Sequence, residues 1–294
     1  MDNKTFYFVD VFAEEKYAGN QLAVITDAQE LSDSQMQAIA NEMHFSETTF
    51  IVSSQKSNGG FDVRIFTPRT EVPFAGHPTL GTAYVISHFL ESRVINPIAI
   101  NLKVGQIPVY SKKARNGGET LWMRQNSPEF GRKFVVNQFA SNLGLDISDF
   151  ESSYPIQEVS TGLPFIIVPL KTLEAVEKAR VSPLLQFDLA KENPSGILLF
   201  CPQTYREENS LHVRVFVDAF GIAEDPATGS GNGCLSAYLS LYRFFGTPKV
   251  NIAVEQGLEV RRPSRLYLRA EAEAGQISVH VGGQVFPIAK GELL

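Results

Sequence analysis

The sequence predicts an α+β fold made of two similar lobes. Most of the chain consists of short apolar and β-branched segments separated by turns rich in Gly, Asn and Pro, which is typical of β-strands. Only a few segments carry apolar residues at helical spacing. Two stretches that begin at Arg64 and Arg214 share one pattern and indicate an internal duplication. With 294 residues, 44% of them hydrophobic, the chain is long enough to bury a core in each lobe.

The first half predicts strands and one helix. Strands are expected at residues 6–12, 22–25, 48–53 and 61–67. The segment Ser32-Asp33-Ser34-Gln35 can cap a helix that carries its apolar residues at helical spacing and ends near His44. Residues 98–124 predict two strands joined by a turn at Asn116-Gly117-Gly118.

The second half predicts the same kinds of element. Helices are expected near residues 134–143 and 172–180, and strands are expected at 156–169, 196–201 and 211–217. The polar segment 126–132 between the two halves is the expected lobe boundary. We therefore predict an N-terminal lobe at 1–126, to which residues from about 280 to 294 return, and a C-terminal lobe at 127–279.

The composition excludes several classes of protein. The chain has 26 Lys and Arg against 32 Asp and Glu, a net charge of −6, and so lacks the positive charge that nucleic acids and membrane surfaces attract. Two cysteines, Cys201 and Cys234, are too few for a disulfide framework or a four-cysteine zinc site, and they favour a reducing compartment. No signal-peptide pattern and no apolar run of membrane-spanning length is seen. We expect a soluble, cytoplasmic protein.

The duplicated stretches each contain a Gly-rich turn that leads into a helix. The first turn runs from Glu71 through Gly76-His77-Pro78, and the second runs from Glu224-Asp225 through Gly229-Ser230-Gly231. A helix N-terminus exposes unpaired N–H groups and the positive end of the helix dipole, so each turn can hold an anion. Ordinary capping explains a single Gly-Ser-Gly turn. Two copies that carry His77, Asp225 and Ser230 favour a site for a small carboxylate on which negative charge develops.

Three common motifs do not fit the second turn. A dinucleotide fingerprint needs G-x-G-x-x-G, but Gly229, Gly231 and Gly233 alternate. A P-loop needs a lysine at the start of the helix, and none occurs between Lys191 and Lys249. A serine-hydrolase elbow needs a glycine two residues before the serine, where Thr228 stands. Nucleotide cofactors and acyl-enzyme chemistry are therefore disfavoured.

His77 and Glu47 are the candidate groups for proton transfer. His77 lies at the start of a helix, whose dipole would lower its pKa and keep the ring neutral. Glu47 lies between a helix end and an apolar strand, where partial burial would raise its pKa toward neutrality; a surface position explains it equally well. His88 is interpreted as a boundary or core residue. The other three histidines have no convergent acid or metal-ligand spacing: His44, His212 and His280.

Five successive motifs resemble the signatures of the phenazine-biosynthesis PhzF family. They span residues 9–231 and occur in the family's order. The motifs are Val9-Asp10-Val11-Phe12 with Gly19-Asn20, Ser46-Glu47-Thr48-Thr49-Phe50, Arg64-Ile65-Phe66-Thr67-Pro68, the segment from Glu71 to Thr79, and the segment from Gly221 to Gly231.

The resemblance implies a fold and an activity. The fold would be diaminopimelate-epimerase-like, with two lobes that are each a β-barrel around a central helix and with the active site in the cleft between them. The activity would be that of a homodimeric isomerase without cofactor or metal, which moves a proton on a substrate such as trans-2,3-dihydro-3-hydroxyanthranilate. Glu47 would be the general acid/base, and His77 and Asp225 would bind and polarise the substrate. Four further residues would hold it: Gly76, Gly229, Ser230 and Gly231.

Two alternatives were weighed against this interpretation. Racemases of the same fold use two thiols, one in each lobe, but Cys234 lies one helical turn beyond Ser230 and Cys201 lies in an apolar strand, so a two-thiol mechanism is disfavoured. A catalytically silent member of the family that binds a metabolite or a protein stays open. The presence of Glu47, His77, Asp225 and Ser230 argues against a simple loss of activity.

Overall fold

The computed structural model describes residues 3–53, 58–113, 118–182, 185, 195–217, 222–273 and 275–294. The chain forms two compact units, Met1–Arg124 with Gly282–Leu294, and Gln125–Val281. That the lobes at 1–126 and 127–279 are separate domains stays a prediction. Within the described residues, no helix has both the length and the apolar character needed to cross a membrane.

The strands are short and follow one another closely along the chain. Their bounds are β1 Lys4–Val11, β2 Asn20–Ile25, β3 Glu47–Ile51, β4 Phe61–Phe66, β5 Glu71–Val72, β6 Ile98–Leu102, β7 Gly105–Lys113, β8 Glu119–Arg124, β9 Glu129–Phe134, β10 Ile156–Ser160, β11 Pro164–Pro169, β12 Gly196–Cys201, β13 Leu211–Val217, β14 Ile222–Asp225, β15 Val250–Gln256, β16 Ser264–Glu273, β17 Gln276–Gly283 and β18 Val285–Leu293.

The helices are fewer. They are α1 Asp33–Met43, α2 Gly76–Val85, which continues as a π-helical turn over Ile86–Leu90, α3 Val136–Leu143, α4 Leu173–Lys178 and, in the second unit, α5 Gly229–Leu241. Ser32 caps α1 with a capping box, as the sequence predicts, and α1 ends where His44 adopts a left-handed conformation.

The two units repeat one strand order. In the first unit, β1 pairs antiparallel with both β18 and β2. Strand β2 pairs parallel with β3, and β3 pairs antiparallel with β4. Strand β4 pairs parallel with β6, and β6, β7 and β8 pair antiparallel in that order. In the second unit, β9 to β13 pair in the same antiparallel and parallel sequence, and β13 pairs parallel with β15, which pairs with β16. The internal duplication read from the sequence is therefore confirmed.

Each unit wraps its strands around one buried helix. Helix α2 packs against seven strands of the first unit: β1, β2, β3, β6, β7, β8 and β18. Helix α5 packs against β10, β11, β12, β15 and β16. All residues of α2 except Tyr84 are buried, and all of α5 except Leu241. A helix that is apolar on every side must be covered all round, and these sheets provide that cover.

The duplicated arginines make the same contacts in both units. Arg64 forms two 2.8 Å hydrogen bonds to Glu71, and its guanidinium lies over the ring of Phe66. Arg214 forms two 2.8 Å hydrogen bonds to Glu224 and lies over Phe216. Each pair ties the strand before the Gly-rich turn to the short strand that enters it.

One expectation about strands was wrong. Residues 98–124 form three strands, β6 to β8, because Lys103 and Val104 make a tight turn after β6; Asn116 and Gly117 lie outside the described residues. The polar segment 126–132 overlaps β9, whose side chains are mostly exposed, and its role as the lobe boundary stays a prediction. A polar, exposed strand is indistinguishable from a loop by hydropathy.

Candidate active site

Glu47 and His77 come together at one end of the first unit. Glu47 is the first residue of β3 and pairs with Leu22 of the parallel strand β2, while His77 is the second residue of α2. The Glu47 Oε2 atom lies 3.5 Å from Nε2 of His77. The side chains are 15% and 4% exposed, respectively. The sequence placed both in the site, and the structure brings them together.

The imidazole of His77 is held neutral. Burial lowers its pKa to about 3, against a smaller opposing contribution from a hydrogen bond with the Gln21 backbone. The sequence predicts the direction of this shift but attributes it to the helix dipole; burial is the larger cause. Within the described residues, Nε2 makes no hydrogen bond.

Asn20 is a further candidate site residue, to which the sequence analysis assigns no role. Its amide nitrogen lies 3.2 Å from Nδ1 of His77. The ring thus has Asn20 and the Gln21 backbone as hydrogen-bond partners, and its Nε2 faces Glu47. Gly19 makes this placement possible, because its φ is +70° and a Cβ there would lie 2.4 Å from the carbonyl oxygen of Val11. The Gly19-Asn20 motif was the available signal.

The second unit places Asp225 and Ser230 around the start of α5. Asp225 ends β14 and Ser230 is the second residue of α5, and they are 6% and 5% exposed. The Thr228 hydroxyl, just before the helix, donates a 2.6 Å hydrogen bond to Oδ2 of Asp225. Gln256 contacts this turn through several hydrogen bonds and is the second site residue that the sequence analysis missed.

Both central helices begin at the predicted glycines. Helix α2 starts at Gly76 and α5 at Gly229, and neither receives a side-chain hydrogen bond from its N-cap residue. Pro78 lies in the first turn of α2, as predicted. The first-turn N–H groups of each helix, including that of Gly231, are suited to bind an anionic group of a ligand.

The side chain of Gln125 forms hydrogen bonds next to the first turn of α5. Its amide nitrogen donates to the Gly229 carbonyl at 2.9 Å, and its Oε1 accepts from the Thr161 hydroxyl at 2.6 Å. A Cβ on Gly233 would lie 1.7 Å from that oxygen. At Gly233, one of the alternating glycines of this helix, the absence of a side chain therefore allows Gln125 to pack closely against α5.

The interpretation of His212 was wrong, and of the two positions expected for His88, core or boundary, the core is excluded. His212 is fully buried with Nδ1 3.2 Å from Glu255 and Nε2 2.8 Å from Glu259, so convergent acids do exist. Burial lowers the pKa of His212, but the hydrogen bonds to these two carboxylates outweigh it and raise the pKa. Both acids lie more than 40 residues along the chain, beyond any local pattern. His88 is exposed and lies 3.4 Å from Glu119, so it is not a core residue.

The cysteines are poor nucleophiles in this fold. Burial raises the pKa of the Cys234 thiol to about 12 and that of Cys201 to about 11. Both residues are buried, and Cys234 contacts the hydroxyl of Thr161 and the carbonyl of Leu163. Catalytic cysteines have lowered pKa values, so this environment argues against a two-thiol mechanism. Among the described side chains, no group of three His, Cys, Asp or Glu is arranged to hold a metal ion.

Comparisons with known proteins agree with this architecture. A family model described as phenazine biosynthesis-like protein, PhzC-PhzF, matches residues 9–291. The trans-2,3-dihydro-3-hydroxyanthranilate isomerase of Pseudomonas aeruginosa is 32% identical over 290 residues, which cover 97% of this chain and 98% of that protein. The crystal structure of a PhzF-family phenazine biosynthesis protein from Bacillus anthracis matches with a TM-score of 0.90 and 29% identity over 100% of both chains.

A more distant structure extends the comparison of folds. A hydroxyproline epimerase from Agrobacterium vitis matches with a TM-score of 0.67 at 8% identity, over 99% of this chain and 92% of that one. Together with the strand order and the two central helices, these structures confirm the predicted diaminopimelate-epimerase-like α+β fold. The chain belongs to the PhzC-PhzF family of phenazine biosynthesis-like proteins and is an isomerase of that family.

Proposed function

We propose that this isomerase moves a proton within a small cyclic or amino-acid-like carboxylate, without a cofactor, and that Glu47 is its general acid/base. The observation that carries the proposal is the buried pair of Glu47 Oε2 and His77 Nε2, 3.5 Å apart. The relative from Pseudomonas aeruginosa is named for trans-2,3-dihydro-3-hydroxyanthranilate. We propose a substrate of that chemical class.

The reaction needs one carboxylate. Glu47 takes a proton from a C–H bond, and the electron pair of that bond moves into the conjugated system of the substrate. The proton of the Glu47 carboxylic acid exchanges with solvent, and the acid then delivers a proton to a second carbon. Substrate and product have the same atoms and electrons, so no oxidant or reductant is consumed, and a carboxyl group can perform both transfers.

His77 assists as a neutral hydrogen-bond donor. With a pKa of about 3 it stays uncharged at neutral pH, and we propose that the reactive tautomer carries its proton on Nε2, next to Glu47, while Nδ1 accepts from the Asn20 amide. A neutral N–H can polarise a substrate oxygen or nitrogen without competing for the transferred proton. The buried surroundings strengthen this interaction, because the local dielectric constant is low.

The second unit supplies binding groups. Asp225 accepts a hydrogen bond from a substrate N–H, and the Ser230 hydroxyl holds the substrate's carboxylate. The N–H groups at Gly76, Gly229 and Gly231 contribute positive charge at the two helix starts.

We also propose that the protein is a homodimer in the cytoplasm and binds no nucleic acid. Light scattering tests the dimer, because one chain has a mass of 32.5 kDa.

Solvent exchange tests the proposal. In heavy water, the wild-type protein should place deuterium on the carbon of trans-2,3-dihydro-3-hydroxyanthranilate that receives the proton. Glu47→Gln keeps the shape of the side chain but cannot take up a proton, so we expect the exchange to fall by at least about 100-fold with little change in binding. Glu42→Gln, the same substitution at an exposed position of α1, is the matched control and should behave as wild type.

The outcomes separate the proposal from its alternative. Near-normal exchange by Glu47→Gln would remove Glu47 from the role of base. If the wild-type protein exchanges no proton of this substrate, of amino acids or of small cyclic acids, but binds one of them, the silent metabolite-binding function gains support.

A further inference from the structure

The side chain of Gln256 makes four hydrogen bonds around the turn that precedes α5. Gln256 ends β15 and is fully buried. Its Nε2 lies 2.7 Å from the Asp225 carbonyl oxygen and 3.1 Å from the Thr228 hydroxyl. Its Oε1 lies 3.2 Å from the backbone nitrogen of Thr228 and 2.8 Å from Nδ2 of Asn232. All four positions that an amide side chain offers are thus occupied.

Backbone groups fix the orientation of this amide. The Asp225 carbonyl can only accept, so the atom that faces it must be the Gln256 nitrogen. The Thr228 N–H can only donate, so the atom that faces it must be the oxygen. Asn232 is fixed in the same way, because its other contact, at 3.1 Å, is the Thr228 carbonyl. The direction of every hydrogen bond in this network follows.

The hydrogen bonds run in one direction and end at Asp225. Asn232 donates to Gln256, Gln256 donates to the oxygen of the Thr228 hydroxyl, and that hydroxyl donates its own proton to Oδ2 of Asp225 at 2.6 Å. Because Gln256 already fills an acceptor position of the hydroxyl, the Thr228 proton is directed to the carboxylate. Asp225 is thereby held in one orientation, as an acceptor.

We propose that Gln256 and Thr228 are positioning residues, which orient Asp225 for the substrate N–H that it binds. The inference rests on the proposed function, since it takes Asp225 as a substrate-binding group. In this proposal both residues act on the substrate only through Asp225. Their loss should therefore weaken substrate binding and leave the proton-transfer step unchanged.

Thr228 gives the cleaner test. Thr228→Val has nearly the same shape but lacks the hydroxyl, and Thr228 makes no side-chain cap to α5 that would be lost. We expect KM to rise about tenfold at constant kcat, the effect of one lost hydrogen bond to a charged group. Thr228→Ser restores the hydroxyl and should restore KM. Equal KM values for the Val variant and wild type would overturn the proposal, as would failure of Ser to rescue.

Gln256→Glu adds a pH readout that a merely structural role would not give. The protonated Glu side chain keeps one O–H donor for the Asp225 carbonyl or the Thr228 hydroxyl, whereas its carboxylate donates to neither. KM should therefore rise with pH between about pH 5.5 and 8.5, relative to wild type. Gln157→Glu is the matched control, because Gln157 is also buried in the second unit and bonds Tyr242 and the Gly131 carbonyl. A KM of Gln256→Glu that follows wild type at every pH would contradict the inference.

A measurement without substrate separates this inference from the proposed function. The side-chain amide protons of Gln256 should exchange with solvent slowly in the NMR spectrum of the wild-type protein, and faster in Thr228→Val. Fast exchange in the wild type would overturn the hydrogen-bond network. Absence of any isomerisation by the wild type, with slow amide exchange, would instead defeat the proposed function and its substrate-binding role for Asp225.

Discussion

Burial of the His77 ring should make the protein less stable as the pH falls. The pKa of His77 is about 3 in the folded protein, because burial disfavours the charged ring, whereas an unfolded histidine titrates near 6.5. Between these values the unfolded chain binds a proton that the folded chain does not. The stability is therefore fully present above the unfolded pKa and is lost as the pH falls below it. At about pH 5 this proton uptake by the unfolded chain lowers the free energy of unfolding by about 2 kcal/mol.

His77→Asn removes the titrating group and isolates this contribution. The free energy of unfolding in urea would be measured at about pH 7.5 and about pH 5 for wild type and variant. We expect the wild type to lose about 2 kcal/mol more than His77→Asn between the two pH values. His212, whose pKa is raised, is present in both proteins, so its opposite contribution cancels.

His44→Asn is the control for replacing a histidine. His44 is exposed and has a φ of 55°, a conformation that Asn tolerates, so this variant should keep the pH dependence of the wild type. The reasoning is refuted if wild type and His77→Asn lose the same free energy on acidification. In that case the folded ring takes up its proton at the same pH as the ring in the unfolded chain, and burial is not what keeps it neutral.

Three further outcomes are expected from the packing of the second unit. Glu224→Gln should cost about 3 kcal/mol in urea unfolding, because it leaves the guanidinium of the buried Arg214 without its carboxylate; a loss below about 1 kcal/mol would contradict this. Gly233→Ala should lower the melting temperature, although alanine favours helices, because its Cβ would meet Gln125; a rise in melting temperature would show that Gln125 can move aside. Cys234 should resist a thiol reagent at about pH 8 until the protein unfolds, and rapid labelling of the folded protein would contradict its burial.

The internal repeat could be predicted from the sequence because it rests on residues with specific local chemistry. Arg64 and Arg214 each precede an acid, a proline and a glycine turn, and that order survives in the sequence. The helix starts at Gly76 and Gly229 were predicted for the same reason. A glycine turn followed by a helical segment of apolar residues can be recognised directly in the sequence.

The contacts between distant segments could not be predicted in this way. His212 pairs with acids from another strand and loop, and Gln256 reaches a turn about 30 residues earlier in the chain. A buried glutamine or histidine in a strand looks the same in sequence with or without partners. Asn20 was overlooked because Gly-Asn is an ordinary turn signal, and only the fold shows that His77 lies beside it.

The central claim is that a single carboxylate, Glu47, removes and returns the migrating proton. It is tested most directly by converting trans-2,3-dihydro-3-hydroxyanthranilate in heavy water and locating the deuterium in the product by NMR. We predict that wild type places deuterium at one carbon only, up to one deuteron per turnover, that Glu47→Gln forms product at least about 100-fold more slowly, and that Glu42→Gln matches wild type. Product formation by Glu47→Gln at the wild-type rate would contradict the account.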